Sequence, residues 1–398
     1  MKTQFDIIIV GAGHVGLIAA LASAQAGFDV ALIDRADIKA PREDSRASTL
    51  AASSVAMLKN LGLWDALSGA VQPVHDMMIG EGRVGDISPL SLHFNGQNRD
   101  TPMAHMVENE ILRRACVDAV YSKSSITILT EASVTDFDNG ADTATVTLDS
   151  GAVLRAPLIV AADGRNSAMR RFAAIPAPRR DYDQSAIVFN ISHSVPHGGV
   201  AHQLFLTGGP FAILPMVNNT ACIVWSDKTR AVDAALALPP PAFKAEVMRR
   251  MGDVLGEIEI TTTPYSYPLT LQLAEQYTQG RLALIGDAAH VILPLAGQGL
   301  NMGLRDAAAL IDVITTARGS GLDIGGAILA EYGQWRRFDN NSLATMTDAL
   351  NLLFSNPVAP LRHLRRLGLA AVDSLPMVGA FFVSEAAGET GERASLMR

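Results

Sequence analysis

The sequence predicts an α/β protein. One doubly wound parallel-sheet domain is interleaved with a second, mainly antiparallel β-sheet domain and followed by C-terminal helices. Three observations predict this. Apolar runs suited to strands buried on both faces of a parallel sheet occur at 5–10, 158–162 and 281–285. Alternating apolar and polar segments with turn residues occupy much of the stretch between the second and third runs. From about residue 300 onward the pattern is mostly helical, with breaks at Pro357, Pro360 and Pro376.

Residues 5–34 read as strand, glycine turn, apolar helix from about Val15 to Ala26, and a second strand ending at Asp34. A helical segment is expected near 47–60, stopped by Gly62, and a β-hairpin over 76–95. Asn139-Gly140 and Ser150-Gly151 punctuate a meander over 125–160. Residues 184–226 alternate like antiparallel strands, and the prolines at 239–241 precede a helix at about 242–254.

Composition narrows the function classes. Of 398 residues, 48% are hydrophobic and 18% charged, enough for a large core and incompatible with disorder. No stretch reaches the roughly 18 apolar residues of a membrane span. The net charge of −8 offers no basic excess for nucleic acid, so that partner is excluded. Two cysteines, Cys116 and Cys222, cannot build a disulfide framework, and a cytoplasmic setting is expected. The apolar start superficially resembles a signal peptide, but Asp6 interrupts it and it runs into glycines, so it reads as a first strand.

Two runs match Gly-x-Gly-x-x-Gly: Gly11 to Gly16, and Gly80 to Gly85. The second is followed by Asp86-Ile87-Ser88-Pro89 with no apolar helix, and reads as a turn. The first has a buried strand before it and a helix, a strand and an acid after it. Gly11 allows the tight turn, Gly13 admits a pyrophosphate to the backbone, and Gly16 lets helix and strand pack closely. Asp34 is placed to accept from ribose hydroxyls, so the first run reads as a Rossmann-like dinucleotide site. Asp163-Gly164 and Gly286-Asp287 end the second and third buried runs, where such folds bind ligands. Gly297-Gln298-Gly299-Leu300-Asn301 opens a helix whose free N–H groups suit an anion. His193, His197 and His202 lack the companions of a metal set, and no metal is expected.

Taken in order, these motifs resemble the FAD-dependent aromatic hydroxylases of the para-hydroxybenzoate hydroxylase fold. The 286–306 run, Phe211 to Pro215, Val224-Trp225-Ser226 and the 337–369 pattern further resemble the ubiquinone-biosynthesis hydroxylases. The resemblance implies a discontinuous FAD-binding domain over 1–75, 100–180 and 270–345. It also implies a substrate-binding β-sheet domain over 76–99 and 181–269, and a C-terminal helical segment over 346–398. It assigns Gly11, Gly13, Gly16 and Asp34 to the ADP half of FAD, and Arg46 and Arg113 to the pyrophosphate region. Val134 would touch the adenine side through its backbone, and Asp163 would serve the diphosphate and the passing reductant. Asp287 would bind the ribitol; Pro294, Gly297, Gln298, Gly299, Leu300 and Asn301 would face the isoalloxazine ring.

The implied activity is ring hydroxylation of a prenylated phenol with NADPH or NADH and O₂, through a C4a-hydroperoxyflavin. No side chain stands out as a general base. The implied partners are the prenylated aromatic, O₂, subunits of a quinone-synthesis complex and the inner face of a membrane. The stretch 361–367, basic with leucines at helical spacing, reads either as a lipid or partner contact or as an ordinary surface helix. A hydroxylase of a soluble phenol and a non-catalytic flavin-fold subunit stay open as alternatives.

Overall fold

The computed structural model describes residues 2–41, 44–95, 102–206, 208–293, 297–355 and 392–398. The chain opens with strand β1 (Ile7–Val10), helix α1 (His14–Gln25) and strand β2 (Val30–Ile33). Strand β3 (Ala47–Ala51), helices α2 (Ala52–Asn60) and α3 (Trp64–Leu67), and strand β4 (Gln72–Val74) follow. Next come the hairpin β5 (Asp76–Arg83) and β6 (Asp86–Asn95), then β7 (Ala104–Glu108), α4 (Asn109–Tyr121) and β8 (Ile126–Leu129). Strands β9 (Val134–Asn139), β10 (Ala144–Leu148) and β11 (Val153–Ala156) precede β12 (Leu158–Ala161) and the short helix α5 (Ala168–Phe172). Four strands then run in succession: β13 (Arg179–His193), β14 (Val200–Leu206), β15 (Gly209–Met216) and β16 (Thr220–Lys228). They lead to helices α6 (Thr229–Leu236) and α7 (Pro240–Met251) and strands β17 (Ile258–Ile260) and β18 (Tyr265–Leu273). The described chain continues through β19 (Thr278–Gln279), β20 (Leu282–Leu284) and β21 (His290–Val291) to the long helices α8 (Gln298–Gly319) and α9 (Leu329–Ser355).

The first sheet has the order β19-β20-β12-β1-β2-β8 and is parallel except at its edge strand β19. The three apolar runs foreseen in the sequence therefore stand side by side. Ile7 lies opposite both Val30 and Leu158, and Ile159 opposite Leu282. Burial on both faces explains why β1 is Ile-Ile-Ile-Val without a polar interruption.

The second sheet has the order β21-β18-β13-β16-β15-β14-β5-β6, with β17 on β13. Its strands sort their side chains by the two-residue period. Ile187, Phe189, Phe211, Ile213, Ile223 and Trp225 pack with Phe243 and Val247 of α7 into one core. Their smaller neighbours Val188, Ala212, Leu214, Cys222 and Val224 line a cavity on the opposite face.

Several expectations are corrected. Residues 47–51 form β3, paired antiparallel with β7, and the helix begins only at Ala52. Tertiary pairing overrides the weak helical preference of Ala-Ser-Thr-Leu-Ala. The meander expected over 125–160 is confined to β9–β11, because β8 and β12 join the parallel sheet. The 76–95 hairpin forms, but β5 joins the large sheet by a parallel pairing with β14. Helix α9 continues through residue 346, where a segment boundary was expected. Pro294 and the basic stretch 361–367 lie outside the described residues.

Candidate active site

The glycine turn after β1 is built by close approach. Gly11 has φ +104°, and a Cβ there would collide with the Ala162 carbonyl oxygen and lie 2.8 Å from Asp163 Cα. A Cβ at Gly16 would run into the Gly11 carbonyl oxygen. At Gly13 nothing lies within 4 Å of the Cβ position, so this peptide faces open space at the start of α1. Asp34 braces the turn: its Oδ2 accepts from Ala12 N–H at 2.6 Å and its Oδ1 from Ala36 N–H at 2.9 Å. The Ala132 N–H donates to the Asp34 carbonyl at 3.1 Å, which brings the start of β9, and so Val134, to the same edge.

The second motif sits beside the first. Asp163 Oδ2 accepts from the N–H groups of Ala168 and Met169 at 2.7 and 3.1 Å. Its Oδ1 is buried without a partner among the described residues. An oxygen that only accepts suits a sugar hydroxyl; contact with a diphosphate, also an acceptor, would require a bridging donor. Buried Arg170 ties this turn to the third motif, donating to the carbonyls of Ala288 at 2.7 Å and Arg165 at 2.9 Å.

The two arginines foreseen at the pyrophosphate differ. Arg46 lines the cavity and is half exposed, with a two-pronged pairing to Asp44 at 2.7 and 2.8 Å. Burial pushes the Asp44 carboxyl up, but Arg46 outweighs it and holds Asp44 below the usual carboxylate range. Arg113 departs from its expected role. Its guanidinium is buried and donates to Glu110 at 2.7 Å, Ile38 O at 2.6 Å and Ala40 O at 3.1 Å. A fork already committed to protein oxygens fixes the chain after β2 and leaves little donor capacity for phosphate.

At the third motif, Asp287 is exposed and lines the cavity, while its neighbours Gly286 and Ala288 are buried. Beneath the turn lies a network the sequence reading passes over. Asp306 Oδ2 accepts from Gly286 N–H at 3.0 Å and pairs with His290 Nε2 at 2.5 Å. Its Oδ1 accepts from Arg336 Nε and Asn340 Nδ2, both at 2.9 Å. Burial would raise this carboxyl, yet the charges of His290 and Arg336 bring it down to about 2. These residues stand 16 to 34 positions apart, so no local pattern announces them.

The five-residue run at the start of α8 divides. Gly297, Gly299 and Leu300 line the cavity. Gln298 is turned inward at 5% exposure and lines a second, smaller cavity. Asn301 is fully buried and holds β3: its Oδ1 accepts from Ala51 N–H at 3.0 Å and Ser54 Oγ at 2.7 Å, and its Nδ2 donates to Thr49 O at 2.8 Å. Successive helical side chains point about 100° apart, so five in a row cannot all face one ligand. A Cβ at Gly297 would lie 2.7 Å from Thr49 Oγ1, which explains glycine where α8 meets β3.

These edges meet in one cavity of about 220 Å³. One side carries Arg46, Ser48, Arg165, Asp287 and Gly299; the other carries the small apolar residues of β13, β15 and β16 together with Tyr267. The cradle fits a flavin dinucleotide. It has backbone that a Cβ would block, an unpartnered buried acceptor at Asp163, a free carboxylate at Asp287 and a helix start facing an open volume.

Comparison with known proteins agrees. A model of the FAD binding domain matches residues 4–336. The chain is 42% identical over 387 residues to ubiquinone hydroxylase UbiL of Rhodospirillum rubrum, covering 96% of this chain and 89% of that protein. It is 34% identical over 378 residues to 3-demethoxyubiquinol 3-hydroxylase of Escherichia coli, covering 92% and 94%. The fold matches p-nitrophenol 4-monooxygenase PnpA from Pseudomonas putida DLL-E4 with a TM-score of 0.80 at 18% identity, over 99% of this chain and all of that one. The chain therefore belongs to the FAD binding domain family and is an FAD-dependent monooxygenase.

Proposed function

We propose that this protein hydroxylates the aromatic ring of a prenylated phenol on the route to ubiquinone, with NADPH or NADH as a transient reductant. The balance is Ar–H + O₂ + NAD(P)H + H⁺ giving Ar–OH + H₂O + NAD(P)⁺. One observation carries the reading: a single cavity joins the nucleotide cradle to an apolar sheet wall. The hydroxylase names of the relatives supply the substrate class.

Bound FAD would supply the two-electron activation of O₂ and the transfer of one oxygen atom. The chain's own residues bind, orient and keep the site dry. Gly13 and Arg46 would meet the phosphates, while Asp163 Oδ1 and Asp287 would accept from sugar and ribityl hydroxyls. Gly299 and Leu300 bring the positive end of α8 to the cavity, where negative charge on a reduced ring is stabilised. Val188, Ala212, Leu214 and Val224 exclude water around the substrate ring. Burial pushes both Tyr267 and Cys222 on this wall up to about 12, so both stay protonated near neutral pH and neither serves as a base. Among the described residues no helix is long and apolar enough to cross a membrane. A membrane-borne substrate would then reach the site by peripheral contact or through partner subunits.

The test is turnover of purified protein with a prenylated phenol, NADPH or NADH, and ¹⁸O₂. Mass spectrometry of quinone precursors in cells lacking the protein complements it. One ¹⁸O in the product and an accumulated precursor short of one oxygen are expected. Labelling of soluble phenols alone would replace the substrate class, and NAD(P)H oxidation with no phenol labelled would favour a non-catalytic role.

A further inference from the structure

We propose that the smaller cavity beside the active site is the channel for the substrate's polyprenyl tail; this deepens the substrate reading above and rests on it. The smaller cavity holds about 30 Å³ against about 220 Å³ for the larger, and the two share Thr49, Gln203 and Leu214 as walls. The wider space suits an aromatic ring and the narrow one a single chain.

Its polar groups collect at the junction. Thr49 and Gln203 line both spaces, and Gln298 stands between Gly297 and Gly299. Gln298 Oε1 is buried without a partner among the described residues, so it can accept from a ring hydroxyl at this collar. Beyond the collar the walls turn apolar: Val74, Ala104, Met106 and Ala201 are buried, and Met77 and Met103 are partly exposed at the far end. A hydrocarbon chain leaves no polar group unsatisfied there. Three methionines, unbranched and adaptable, let a narrow wall open around a branched chain.

A third cavity also adjoins the wider one and competes for the tail. It holds only about 10 Å³ and reaches polar Ser226 and Asn351. Asn351 donates to Gln184 there at 3.0 Å. A hydrocarbon entering that side would break this bond without replacing it.

The test uses the flavin-loaded protein, NADPH and two probes, a phenol bearing one isoprene unit and one bearing four with a photoreactive diazirine on the last unit. In the wild-type protein the label is expected on Met77 or Met103, and label on Leu293 or Asn351 would overturn the channel. For Met103→Trp, the ratio of kcat/KM between the long and short probes is expected to fall about tenfold or more, the scale of losing burial of a few methylenes. An unchanged ratio overturns the channel, whereas failure of the wild-type protein to hydroxylate either probe overturns the substrate reading instead. Label on Met77 or Met103 sustains the channel even if the Trp variant does not fold.

Discussion

Two stretches of this chain carry the same Gly-x-Gly-x-x-Gly pattern and do unrelated things. The first, from Gly11 to Gly16, lies between β1 and α1, where each outer glycine admits backbone from elsewhere: Gly11 to Ala162 and Asp163, Gly16 to Gly11 itself. The second, from Gly80 to Gly85, ends β5 and turns into β6. Gly80 there meets only the tip of Leu204, and Gly85 (φ +85°) only the Arg249 side chain. The pattern is a list of permitted conformations; the flanking apolar run and helix decide whether backbone closes on it. A glycine motif therefore means a nucleotide site only when its surroundings need the missing Cβ.

Gly16→Val should break the contrast most severely. A side chain driven into the Gly11 carbonyl is expected to cost on the order of 3 kcal/mol or more and to leave purified protein without yellow flavin. Absorbance and thermal unfolding read both effects, and a flavin-replete variant of normal stability would refute the close-approach account.

Next in size is the frame under the first site, which the second run lacks. Asp306→Asn leaves His290 and Arg336 buried beside a neutral amide, at an expected cost of about 3–5 kcal/mol. The acid limb of stability should change as well. The Asp306 carboxyl is depressed from 3.8 to about 2 in the folded protein, so its contribution is complete above 3.8 and lost as pH falls toward about 2. Denaturant titrations across that window should show a shallower pH dependence in the variant; an identical slope would assign the acid sensitivity to other groups.

Asp287→Ala tests the exposed carboxylate. FAD affinity is expected to drop about tenfold to a hundredfold, as for a lost hydrogen bond to a charged group. The stability of the flavin-free protein should barely move, because this side chain is exposed. Fluorescence titration of FAD into the apoprotein separates this from a folding defect.

The mildest effects belong to the look-alike run. Gly85→Ala should cost about 1 kcal/mol for its left-handed backbone. Gly80→Ala should cost less, since its Cβ would stand 3.2 Å from a movable Leu204 methyl. Both variants should keep full flavin content, and loss of flavin from either would mean the two runs are less distinct than their geometry.

The local rules of the chain made much of the nucleotide edge legible. β1, β2, β12 and β20 are recognisable because burial on both faces forces unbroken apolar residues, and Gly11, Gly16, Asp163 and Asp287 because sharp turns at strand ends restrict residue choice. The β3 strand was not legible, since Ala-Ser-Thr-Leu-Ala has no period of its own and is held extended by β7 and Asn301. Nor was the duty of Arg113, whose partners Ile38 and Ala40 are supplied by a loop more than seventy residues earlier.

By itself, then, the sequence determined the fold class, the order of the strands' motifs and the kind of cofactor, because these follow from short-range periodicity and backbone sterics. Tertiary structure alone decided which residues share a wall. It set Val188 and Val224 opposite Asp287, placed His290 and Arg336 on one carboxylate, and opened a narrow second space behind Thr49 and Gln203. Such assemblies join residues far apart in the chain, and their geometry exists only once the two sheets and α8 have packed.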